Sequence, residues 1–142
     1  MKKNIFTSLF ILFGFFLFGQ NADAIVGSYL KADGKSRIEF LKSSSSDTYY
    51  GKIVWLKEPN DEKGNPKKDV KNPDKTLRNR PLVGLVVIKG LKYDGDGRYI
   101  DGKVYRPAEG DELKFKVKVN DDGTIYVTGT KYGFSKTEVW SK

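Results

Sequence analysis

Between Asp111 and Val119 apolar and charged residues alternate without a break. Leu113, Phe115, Val117 and Val119 fall on one side, Lys114, Lys116 and Lys118 on the other. A period of two is the pleat of a β-strand, and a strand so divided buries one face while the other meets water. Such a strand needs partners of the same kind, and the chain supplies them. Val26–Lys31, Ser36–Lys42, Tyr49–Lys57, Leu82–Leu91, Arg98–Arg106, Thr124–Thr130 and Phe134–Ser141 read as further strands. Turn signals separate them, among them Asp33-Gly34, Asp94-Gly95-Asp96-Gly97, Pro107-Ala108-Glu109-Gly110 and Asn120–Gly123. The Asp-Gly-Asp-Gly run lacks the spacing and closing Glu of a calcium loop, so it reads as a turn.

No segment after residue 24 shows a helical period. Eight short antiparallel strands suit a sandwich or an up-and-down barrel. The barrel is expected, because closure leaves no exposed edge. An eight-stranded barrel encloses an interior that side chains fill or that one small ligand occupies.

The start of the chain reads differently. Lys2 and Lys3 precede an apolar run from Ile5 to Phe18, and Ala22-Asp23-Ala24 follows. The run is shorter than the roughly 20 residues of a membrane span. Basic start, apolar middle and small-x-small end together read as a signal peptide over 1–24, with a single domain at 25–142. The expected location is therefore periplasmic or secreted, with no membrane span in the mature form.

Glu58 to Arg80 is a polar stretch with three prolines, and loops of this length in small domains commonly serve as lids. Near its end Asn72 suits the cap of a helical turn with Pro73 at the first helical position. Pro81 pushes Arg80 into an extended conformation at the entry to the apolar run Leu82–Ile88.

Three motifs now combine: Gly51-Lys52-Ile53-Val54-Trp55-Leu56-Lys57, the run Asn72-Pro73-Asp74…Leu77-Arg78-Asn79-Arg80-Pro81-Leu82-Val83-Gly84-Leu85, and Thr137-Glu138-Val139-Trp140. In these the chain resembles the bacterial "domain of unknown function 2147" family, over nearly all residues after the first two dozen. The resemblance implies an exported, lipocalin-like β-barrel with a long lid loop between strands three and four. Gly27-Ser28-Tyr29 is similar to the Gly-x-Trp of lipocalins, which implies that Tyr29 packs across the closed end with Trp140 nearby. Many relatives carry a cysteine pair before the Gly-Lys-Ile-Val-Trp motif; this chain has no cysteine.

The absence of histidine and cysteine removes the commonest general base, the commonest metal ligand and thiol chemistry. The acidic residues fall mostly in turns and the loop, so nothing sets two carboxylates face to face for hydrolysis. No enzymatic activity and no cofactor are expected. The net charge of +8 is spread over many lysines that read as a solvated surface. Attraction to an anionic envelope surface fits them better than nucleic acid does.

The candidate ligand-contacting residues are Arg80, Arg78, Asn72, Trp55 and Tyr105. A guanidinium at a barrel mouth can clamp a carboxylate or phosphate with two parallel hydrogen bonds. Against that role, Arg78 lies four residues after Asp74, a helical ion-pair spacing, and Arg80 can stack on an aromatic ring. The expected function is binding of a small apolar or amphipathic ligand, an anionic one included. The alternative is an envelope protein with a solid barrel core whose 58–80 loop binds a protein or polysaccharide. Whether the interior is open or filled separates the two.

Overall fold

The computed structural model describes residues 21–142; the apolar run Ile5–Phe18 lies outside the described residues. Eight strands follow one another: β1 (Gly27–Leu30), β2 (Ser36–Lys42), β3 (Tyr49–Leu56), β4 (Val86–Tyr93), β5 (Arg98–Arg106), β6 (Asp111–Val119), β7 (Ile125–Lys131) and β8 (Phe134–Trp140). Each pairs antiparallel with the next in sequence order. Reciprocal backbone hydrogen bonds of 2.6 and 3.1 Å between Leu30 and Ser141 join the last strand to the first. The result is an all-β up-and-down barrel, with connections that alternate between two ends.

The connections β2–β3, β4–β5 and β6–β7 lie at one end, which a 3₁₀ turn at Ala22–Ile25 covers. Ile25, Tyr29, Phe40, Leu91 and Tyr99 have no exposed surface there, and Tyr49 almost none. Their rings meet edge to face, Tyr49 on Tyr99 at 5.3 Å and Tyr29 on Phe40 at 5.8 Å, a favoured aromatic geometry. The turn is tied down by hydrogen bonds. Tyr49 donates to the Asp23 carboxylate, Tyr99 donates to the Ala22 carbonyl, and the Ile25 N–H donates to the Tyr99 oxygen at 3.2 Å. Residues 22–24, on the far side of the expected processing site, thus contact the barrel. The eight strands, the closing bridge and this core all lie within 21–142.

Strand β6 keeps the expected register, with Phe115 and Val117 buried and Lys114 and Lys116 exposed. Three expectations change. The fourth strand begins at Val86 and not at Leu82. Leu85 N–H donates to the Leu82 carbonyl in a tight turn that uses the positive φ of Gly84, so the chain bends before it enters the ladder. The helical turn is Lys75–Leu77 and its cap is Asp74, whose carboxylate accepts from the Thr76 N–H. Asn72 acts one step earlier, accepting from the Asp74 N–H at 2.8 Å. The third change concerns Trp55. A bulge pairs Arg37 with Trp55 but Ile38 with Ile53, which inserts Val54 and reverses the sides beyond it. Leu56 therefore packs against the core, while Trp55 is 42% exposed.

Candidate functional site

The barrel is filled only in its lower half. Above Trp140, Phe115 and Ile88 a cavity of about 1150 Å³ opens toward the connections β1–β2, β3–β4 and β5–β6. Ile38, Ile53, Leu56, Val87, Leu113 and Val127 form its apolar wall. Its size matches ligand pockets, which are mostly apolar with a few placed polar groups. Trp140 stands on the floor between Phe40 (6.4 Å) and Phe115 (6.1 Å), joining the Tyr29 cluster to the cavity.

The long connection 57–85 contributes Glu58, Asp61, Val70, Lys71 and Leu82 to the lining. Short bridges Asn60–Pro66 and Lys68–Pro81 give it internal structure. Its anchor is Asp69, a carboxylate with no exposed surface. Asp69 accepts hydrogen bonds from Tyr105 (2.6 Å), Asn72 Nδ2 (2.8 Å) and Arg80 (3.1 Å). Burial alone would raise its pKa, but these three donors outweigh it and hold the carboxyl below its usual value. The Tyr105 hydroxyl is pushed up to about 12, first by burial and then by its bond to this anion. A second tie lies at Gly110, where φ is +70° and an added Cβ would sit 2.2 Å from the Lys71 carbonyl oxygen. Only glycine lets the β5–β6 turn approach the loop so closely.

The expected ligand residues separate accordingly. Tyr105 lines the cavity. Asn72 and Arg80 are gathered with it around Asp69, beside the cavity and outside its lining. Arg78 faces neither Asp74 nor the cavity; its Nε donates to the Asn72 carbonyl at 2.7 Å and braces the loop. Trp55 lies off the cavity because of the bulge.

Other charged groups lie on the strands toward the open end. Arg106 makes a two-pronged contact with Asp111 (2.8 and 2.6 Å), and Lys131 adds a third at 2.7 Å. Hydrogen bonds from Arg106 and then Lys131 hold the Asp111 carboxyl far below its usual range. On β8, Lys136 pairs with Glu138 at 3.4 Å, and the Trp140 indole donates to Glu138 at 3.2 Å; all three line the cavity. The strand period could have found these groups. Asp111 is in phase with Leu113 and Phe115, Lys131 with Val127, and Lys136 and Glu138 with Trp140.

A solved structure, "Protein HP1028 from the human pathogen Helicobacter pylori belongs to the lipocalin family", is similar to this chain at 27% identity with a TM-score of 0.71. The match covers 83% of this chain and 82% of that one. No curated protein matches. Residues 27–142, which span every strand of the barrel, match the family described as "Uncharacterized protein conserved in bacteria (DUF2147)", and the chain belongs to that family.

Proposed function

We propose that this chain is an exported, non-catalytic binding protein that holds a small amphipathic molecule in the barrel. The apolar part would lie against Phe115, Val127 and Trp140, and a charged head would lie toward the mouth. The observation that carries this reading is the cavity in the upper half of the barrel, which favours a bound small molecule over a solid core. Its lipocalin-like relative supports the same class of function. Lysines 31, 67, 68 and 71 at the mouth favour an anionic head. Arg80 is paired with Asp69 and lies outside the lining, so the mouth lysines stand nearer to such a head. Export rests on the Lys-Lys start, the apolar run and Ala22-Asp23-Ala24.

The test uses Trp140 as a built-in reporter on the cavity floor. With Trp55→Phe removing the exposed indole, laurate and other fatty acids are titrated into residues 21–142 while fluorescence is followed. Saturable change of the Trp140 emission is expected. Leu113→Trp, which places bulk in the cavity, should abolish binding of both laurate and an apolar dye. No binding of any single-chain amphiphile, or equal binding by the filled variant, would overturn the proposal.

A further inference from the structure

The two ends of the barrel differ in charge and in apolar exposure. The three connections at the closed end carry Asp47, Asp94, Asp96, Asp121 and Asp122 and no lysine or arginine. The four at the open end carry ten Lys and Arg against seven Asp and Glu. The same open end holds, among the described residues, the two most exposed large apolar side chains, Tyr132 at 87% and Phe134 at 82%. They flank Gly133 at the tip of the β7–β8 hairpin, where positive φ at Tyr132 and Gly133 makes the tight two-residue turn. Val70 and Val83 of the 57–85 connection are also exposed, at 66% and 47%.

The tip is held beside the mouth. Lys131, at its base, reaches Asp111 inside the rim and lies 5.3 Å over the Tyr132 ring. Exposed aromatic rings on a rigid tip with lysines around them are the chemistry of a membrane interface. Rings settle at the headgroup level, and basic side chains are drawn to anionic lipids. Apolar side chains exposed side by side mark an interaction site more often than scattered ones do.

We propose that the open end docks on an anionic lipid bilayer, with Tyr132 and Phe134 entering the headgroup layer and the cavity mouth facing the membrane. The basic excess and the exposed rings of the open end set the orientation; at the closed end Asp47 and Asp96 pair with Lys42 and Arg98, which leaves no basic excess in its connections. This interaction needs no ligand in the cavity, so it stands or falls separately from the binding function proposed above.

The experiment is flotation of residues 21–142, free of the apolar run that would itself insert, with vesicles of phosphatidylglycerol and phosphatidylcholine in equal parts. Binding is expected to these and not to pure phosphatidylcholine, and to weaken as salt is raised to about 0.5 M. Tyr132→Ser with Phe134→Ser should weaken it about tenfold or more, as for the loss of interfacial anchors. Lys68→Glu with Lys71→Glu should do likewise. Tyr126→Ser with Val139→Ser, which changes apolar residues exposed on the barrel wall, should bind as the parent does, and matching thermal melts show that each variant is folded. Absence of vesicle binding, equal binding to both lipids, or an equal loss in the Tyr126/Val139 variant would overturn the proposal. Laurate titration in solution reports the cavity independently.

Discussion

Tyr105 and Asp69 are 36 residues apart, yet the Tyr105 hydroxyl donates a 2.6 Å hydrogen bond to the buried Asp69 carboxylate. That bond fastens the 57–85 connection to strand β5 at the cavity. Asp69→Ala removes the acceptor shared by Tyr105, Asn72 and Arg80. Leaving buried donors unpaired should cost about 2–3 kcal/mol, read from urea denaturation. A change within about 0.5 kcal/mol, the usual range for a surface site, would show that the loop is not anchored there.

Arg80→Lys keeps the positive charge and shortens its reach to Asp69. Because the Arg80 side chain is 41% exposed, solvent screening limits the loss to about 1 kcal/mol. Laurate affinity should stay unchanged, since Arg80 is outside the cavity lining. A clear loss of affinity at unchanged melting temperature would instead make Arg80 a ligand clamp.

Stability should fall on both sides of a neutral plateau. Asp69 and Asp111 have folded pKa values below the ordinary one, so acid protonates the unfolded chain first. Their contribution is complete above about pH 4 and is lost as pH falls through the lower folded values. Tyr99 and Tyr105 are pushed up to about 12, chiefly by burial. Their contribution is complete below about pH 10 and is lost as pH rises toward 12. Melting temperature against pH checks both limbs, and a curve unchanged between pH 10 and 12 would contradict the second.

Phe115 packs on Trp140 at 6.1 Å and is only 5% exposed. Phe115→Ala should cost about 3–5 kcal/mol through lost burial and the space left behind. Lys116→Ala, one residue along on the outer face, should stay within about 0.5 kcal/mol. Denaturant titrations with the reverse order would mean that the register of β6 is wrong.

The Ala22–Ile25 turn gives a test at the N-terminus. A chain beginning at Ile25 loses the Asp23 acceptor of Tyr49 and the Ala22 acceptor of Tyr99. It should be about 1–2 kcal/mol less stable than residues 21–142, the usual worth of one or two hydrogen bonds. Paired thermal melts measure the difference, and N-terminal sequencing of the protein isolated from its host shows which start is used. Equal stabilities would mean that the turn adds nothing.

Strands were legible because their signal is local. The alternation around Phe115 and the turn residues at Asp94–Gly97 belong to short segments, and the pleat and turn geometry act within them. The barrel order followed from short connections between most successive strands, the 57–85 connection being the exception, and the closed-end place of Tyr29 was implied by the likeness of Gly27-Ser28-Tyr29 to the Gly-x-Trp of lipocalins. Trp55 could not be placed that way. One inserted residue, Val54, reverses every side chain after it, and a bulge is chosen by cross-strand packing. The partners of Arg80 and Arg78 were hidden for a similar reason. Asn72 meets Asp69 within a local turn, but Tyr105 reaches Asp69 only once the loop has folded against the barrel, and nothing in their spacing records it. The cavity was the least legible feature of all. Composition says how much apolar surface a chain has to bury. Whether eight strands leave the upper half of their interior open depends on tilt, curvature and the sizes of facing side chains, which only the assembled barrel decides.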